Sequence, residues 1–285
     1  MEQHHDGWKR RDFLKTAALT LAGVAVPFTS AQTRQFSQTD LQVWSCGGLA
    51  EAMMPAHELY EQRTGVKISY TGAFAAALGK SLLGSAQTEV FCGRVLSLSQ
   101  KLRQTGKMVY FKPLCFTSYV VVTPLGNPAG IRELKDLARP GIKVVLAPDA
   151  SPPGGKAADL ILKKAGLYEA VRKNAVVLGT CVQRTLEDII TGRGDASVVE
   201  FRLTKIPRFA NKVEVIPIPD RLFPPGPLTF TAGVMQSAKD RTLADDYVDY
   251  ITSPVGQAFF EKFGFIPAIS AQGQELTEKL GVKDV

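Results

Sequence analysis

One unit recurs along this chain: a short strand, a turn of small residues, and a helix that starts directly after the turn. That repetition restricts the fold more than any other feature. The first copy is Leu41–Leu49, Leu-Gln-Val-Trp-Ser-Cys-Gly-Gly-Leu, running into a helix to about Arg63 in which Leu49, Met53, Ala56 and Tyr60 keep helical spacing. Gly65 stands just past its end, where a helix stop belongs. A second copy is Val66–Tyr70, the turn Thr71–Phe74 and the helix Ala75–Leu83; a third is Glu89–Cys92, Gly93-Arg94 and Val95–Thr105. The segment Met108–Leu114, the strand Phe116–Thr123 and a short helix Ile131–Ala138 follow. The unit then returns as Lys143–Leu146, Ala147–Gly155 and Lys156–Ala165, and as Ala175–Leu178, Gly179-Thr180-Cys181 and Val182–Thr191. Strands at Asp195–Phe201, Asn211–Ile218 and Leu228–Val234 and helices at Arg241–Thr252 and Pro254–Phe263 complete the pattern. Alternation of this kind predicts a mostly parallel sheet covered by helices. Two such sets, joined by the extended strands Phe116–Thr123 and Leu228–Val234, predict two lobes with a double crossover. The cleft between them is the expected ligand site.

The N-terminus carries a separate message. Lys9-Arg10-Arg11-Asp12-Phe13-Leu14-Lys15 precedes a weakly apolar run, Thr16–Phe28, and then Thr29-Ser30-Ala31. Paired arginines, a mild apolar core too short to span a bilayer and small residues at its end resemble a twin-arginine export signal. The expectation is a signal over 1–31, a linker over 32–40 and a periplasmic chain beginning near Gln32. No Cys follows the apolar run, so a lipid anchor is not expected. Of the three histidines, His4 and His5 fall in the signal, which leaves His57 alone in the exported part. That weighs against histidine acid–base chemistry or a histidine metal site. The formal charge of +7 is spread without a basic, aromatic-interleaved run, so no nucleic-acid partner is read from it.

With these elements placed, the stretch from Leu41 to Pro267 resembles the periplasmic solute-binding proteins of ABC importers, and among them the molybdate/tungstate-binding group. The resemblance rests on Val43-Trp44-Ser45-Cys46-Gly47-Gly48-Leu49, Thr64-Gly65-Val66, Glu89-Val90-Phe91, Tyr119–Pro124, Leu134-Lys135-Asp136-Leu137, Ala147-Pro148-Asp149 with Pro153-Gly154, and the closing Pro254–Pro267. It implies an α/β, two-lobed type II periplasmic binding fold with two crossover hinge strands. Lobe one would take 41–120 plus 230–285 and lobe two 121–229. It further implies a monomeric binding protein rather than an enzyme, with an inner-membrane ABC permease as partner. The ligand would be small and inorganic, molybdate or tungstate at the family level, and no other cofactor is implied. By position, the family's ligand-holding turns fall at Gly48, at Phe74 or Ala75, at Pro153, at Val182 and at Glu200. Cys46, Gly47, Cys92, Gly93, Gly154 and Cys181 are their neighbours in the candidate site.

The residues at these positions depart from the family's donors. Gly48 and Phe74/Ala75 stand where the family has serine hydroxyls, and Pro153 has no N–H to give. Glu200 stands where the family has a tyrosine hydroxyl, and an unpaired carboxylate would repel an oxyanion. Three of the four cysteines, Cys46, Cys92 and Cys181, fall at strand-to-helix turns. With Glu200 they would suit a soft transition-metal cation, and thiols at helix N-termini would have lowered pKa values. Disulfides and inert buried thiols stand as alternatives for the same cysteines, and an exported thiol or metal enzyme as a rival function. Arg94 is read as a candidate partner for an anion or for Glu200, and His57 as a satisfied core or surface residue rather than a ligand.

Overall fold

A computed structural model describes residues 36–150, 154–224 and 228–284. The twin-arginine segment, the first part of the linker and Pro153 lie outside the described residues. The unit spanning residues 35–285 is built on two sheet systems. The first has six strands: β1 (Asp40–Cys46), β2 (Lys67–Ala73), β3 (Val90–Arg94), β4 (Met108–Phe116), β10 (Thr229–Met235) and β11 (Ile266–Pro267), in the order β11-β4-β10-β3-β1-β2. The second comprises β8 (Ser197–Glu200), β5 (Tyr119–Pro124) and β9 (Val213–Pro217) as one sheet, and β6 (Val144–Leu146) with β7 (Ala175–Leu178) as another. A bridge from Val144 to Ala196 ties the two together just ahead of β8.

Each sheet system is covered on both faces. In lobe one, α1 (Ala50–Thr64), α7 (Arg241–Thr252) and α8 (Pro254–Lys262) close one core around Met53, Tyr60, Tyr247 and Phe260. On the other face, α2 (Ala75–Leu83), α3 (Leu96–Gln104) and α9 (Ala271–Lys279) close a second core around Leu82, Phe91, Leu102 and Phe116. In lobe two, α4 (Gly154–Lys164) and α5 (Tyr168–Lys173) cover one face through Ala157, Ile161 and Val171, and α6 (Val182–Ile190) covers the other through Leu186 and Ile189. β1 buries Leu41 and Val43 completely and leaves Gln42 and Trp44 partly exposed, the alternation a half-covered strand requires. α1 ends as its sequence indicates: Gly65 adopts φ 74° and its N–H donates to the Glu61 carbonyl.

The sheets are less parallel than the repeated unit suggests. β1 runs parallel to β2 and β3, but β10 is antiparallel to both β3 and β4, and β5 is antiparallel to β8 and β9. In lobe one the reason is the returning strand, β10, which inserts between β3 and β4. The stretch expected to form one crossover strand, Phe116–Thr123, is two strands in different sheets. β4 ends at Phe116, β5 begins at Tyr119, and the step between lobes is Thr117-Ser118. There the two crossings touch, the Thr117 N–H donating to the Leu228 carbonyl at 2.9 Å.

Candidate functional site

Six chain segments meet at a cavity of about 460 Å³ between the lobes. Lobe one supplies the turn after β1 (Cys46, Gly47, Gly48, with Glu51 one helical turn on), the start of α2 (Ala73, Phe74, Ala75) and Arg94 at the end of β3. Lobe two supplies Ala150, the start of α6 (Thr180–Gln183), and Glu200, Arg202 and Leu203 after β8. Of the residues expected at the site, Cys46, Gly47, Gly48, Phe74, Ala75, Cys181, Val182 and Glu200 line this cavity. Cys92 and Gly93 do not: Cys92 is wholly buried in the lobe-one core, and Gly93 pairs with Thr231 in the sheet while Phe91 packs over it. Gly154 begins α4, and Pro153 lies outside the described residues.

Helix starts dominate the cavity wall. The short 3-10 turn Gly47–Leu49, α2 and α6 begin after Cys46, Phe74 and Cys181, and none of these makes a side-chain capping hydrogen bond. Helices α7, α8 and α9 lie elsewhere and are capped by Asp240, Ser253 and Ser270. The first N–H groups of a helix need a partner, and Ser, Thr, Asp or Asn ordinarily supplies it. Phe74 offers no acceptor and the two cysteines only weak ones. A missing cap alone does not mark a site, since α5 also starts without one. Three such starts facing one cavity leave a cluster of donors with the positive ends of their dipoles turned to whatever enters. Beside them Val95, a β-branched residue, is held at φ 76° with its N–H on the Thr229 carbonyl at 3.1 Å. Such backbone is costly for a β-branched side chain and persists where the surroundings impose it.

The cavity floor carries a three-charge cluster that sequence reasoning saw only in part. Arg94 Nη1 lies 2.8 Å from Glu200 Oε1, and Arg202 Nε donates to Glu200 Oε2 at 2.5 Å. Arg94 also donates to the Tyr119 hydroxyl at 3.1 Å and sits over the Phe230 ring. Because Arg94 belongs to lobe one and Glu200 and Tyr119 to lobe two, this buried pair joins the lobes. Glu200 is therefore not the unpaired, anion-repelling carboxylate that its position suggests in the sequence. Burial would push its carboxyl up, but the guanidiniums of Arg202 and Arg94 outweigh burial and hold it at about 2. Arg202 and Glu51 escape sequence reasoning, because a single Arg on a short turn and a Glu in the first turn of a helix look like ordinary surface residues.

The metal set Cys46, Cys92, Cys181 and Glu200 does not assemble. Among the described residues no three His, Cys, Asp or Glu side chains come together as metal ligands. All four cysteines are free thiols, three of them buried and Cys181 exposed, so no disulfide forms. The expected lowering of thiol pKa is reversed where a shift occurs. Burial raises Cys92 to about 12, and burial raises Cys46 against the partial opposition of Arg94.

A two-lobed α/β chain with a donor-lined cavity between lobes is built to bind a small solute, and known proteins agree. The solved substrate-binding domain of a putative molybdenum ABC transporter from Clostridium difficile superposes with a TM-score of 0.70 at 21% identity, covering 80% of this chain and 99% of that one. The fold is thus the type II periplasmic binding fold. The family model for bacterial extracellular solute-binding proteins matches residues 41–266, and the chain belongs to that family. Its members are binding proteins rather than enzymes. Similar curated relatives include the molybdate-binding protein ModA of Mycobacterium bovis, 25% identical over 87% of this chain and 93% of the relative. A sulfate-binding protein of Synechococcus elongatus is 22% identical over 92% of this chain and 84% of that relative.

Proposed function

We propose that this chain is the periplasmic solute-binding subunit of an ABC importer and that it captures a small tetrahedral oxyanion, molybdate or tungstate first, between its lobes. One observation carries the reading: three helix starts without side-chain caps, from both lobes, face a single cavity. Their N–H groups and dipoles suit a compact anion, and binding to both lobes at once favours the closed form by differential affinity. The relatives named for molybdate and sulfate support an anion. A soft metal cation is disfavoured by the unassembled cysteines and by a carboxylate already shared between two guanidiniums.

The test is thermal unfolding and calorimetric titration of the exported protein against molybdate, tungstate, sulfate, Zn and Cu(I). Stabilisation by an oxyanion, with none by the cations, is expected. An anion present at a hundred times its Kd adds about 2.7 kcal/mol of stability. Stabilisation by Zn or Cu(I) alone would overturn the reading.

A further inference from the structure

We infer that Arg202 is a direct contact for the anion and that Glu51 is its tethered counter-ion in the ligand-free protein, so that capture exchanges one carboxylate for the incoming anion. The inference rests on the anion reading above and deepens it by naming a charged recognition pair at the same site.

The geometry separates the two arginines. Arg94 is committed: one terminal nitrogen lies on Glu200, the other on the Tyr119 hydroxyl, and the plane lies against Phe230. Arg202 is anchored only through Nε, on Glu200. Its side chain is 10% exposed. Its Nη1 lies 4.0 Å from Glu51 Oε2, beyond hydrogen-bond length but within Coulomb reach. The guanidinium also lies against the β1 turn: a Cβ on Gly48 would stand 3.1 Å from Nη2. A side chain at position 48 would press the guanidinium back by a few tenths of an ångström. Glycine at position 48 thus leaves room for a guanidinium that brings its own donors to the β1 turn.

Glu200 is the positioning residue. Held from lobe one by Arg94, it fixes Arg202 through Nε and leaves Nη2 against Gly48 and Nη1 toward Glu51. Arg94, Arg202 and Glu200 together carry one excess positive charge. Glu51, on the first turn of α1, is the nearby carboxylate that balances it, and its side chain is 28% exposed. An anion entering the cavity meets the same terminal nitrogens that Glu51 attracts, so Glu51 competes with it. The competition selects for ligands of sufficient charge: a monoanion gains less from Arg202 than a dianion does, against the same displaced carboxylate.

The test uses calorimetric titration of inorganic molybdate and sulfate into the wild-type protein, Glu51→Gln, Arg202→Lys, Arg202→Gln and the double variant Glu51→Gln/Arg202→Gln. Circular dichroism is used to check that each variant is folded. Glu51→Gln is expected to tighten the better-bound anion by roughly tenfold. Arg202→Lys, which keeps the charge but loses the fork and its Nε anchor, is expected to weaken it by roughly tenfold or more. In the double variant the gain from Glu51→Gln should disappear, because Glu51 acts through Arg202. A gain that survives without Arg202, or a Glu51→Gln affinity equal to wild type, overturns the inference and leaves the anion reading standing. Failure of the wild type to bind either anion removes both. Glu51→Gln, a conservative change at a partly exposed site, keeps the test decisive should the Arg202 variants not fold.

Discussion

At the scale of single residues, two buried titratable groups make this protein sensitive to acid in adjoining ranges. His57 is 4% exposed in the lobe-one core, where Nε2 pairs with the Tyr247 hydroxyl at 2.7 Å and Nδ1 has no partner among the described residues. Burial lowers it to about 4, only partly opposed by Glu61. Between about 6.5 and 4 the unfolded chain therefore takes up a proton that the folded chain refuses, so stability falls as pH falls through that window. Glu200, held at about 2, adds stability that is full above its unfolded value of 4.5 and is lost as pH falls from there toward 2. Urea unfolding from pH 7 down to 4 is expected to show a loss of about 3 kcal/mol attributable to His57, since each pH unit inside that window is worth ~1.4 kcal/mol. His57→Gln should flatten that arm; an equal slope in the variant would show that another group is responsible. The spacing of its helix puts His57 on the inner pattern but leaves core or surface open, and the structure buries it. The pairing of Glu200 with Arg94 is only a candidate in the sequence, and the part of Arg202 is invisible. Residues 94 and 200 end strands of different sheets and meet only because the two lobes approach there, which no local pattern encodes.

At the scale of elements, helix starts are the most legible feature and also the functional one. The sequence places the first residues of α2 and α6 at Ala75 and Val182, where the structure has them. Small-residue turns before apolar periodicity mark such points independently of tertiary contacts. Two short helices leave no readable pattern: α5, which is only six residues long, and α9, whose one buried position is Gly273 and which therefore shows little periodicity. Cys181 leads α6 without capping it. Cys181→Asp is expected to supply the missing cap and raise stability by about 1 kcal/mol while placing a carboxylate among the donors. Chemical unfolding and anion titration should thus move in opposite directions, stability up and affinity down. A gain in stability with unchanged affinity would show that the α6 start does not touch the ligand.

At the scale of the whole molecule, the lobes are tied at the back by Thr117-Ser118, by the Thr117–Leu228 contact and by the buried Arg94–Glu200 pair, while the cavity opens between the helix starts. That arrangement leaves closure around the hinge as the motion an anion would drive. Small-angle scattering is expected to show a smaller radius of gyration on saturation with the bound oxyanion; a radius unchanged at saturation would mean capture without closure. The sequence alone determined the alternating elements, the double crossover and the approximate ring of turns around the cleft. Those follow from hydrophobic period and turn chemistry, which act over a few residues. Only the tertiary structure decided that the returning strand runs antiparallel between β3 and β4, that Phe116–Thr123 divides between two sheets, and that the cysteines do not gather. It alone also set Arg202 against Gly48 with Glu51 beside it. Those facts depend on which distant segments approach within a few ångströms, where burial and Coulomb energies are decided pair by pair.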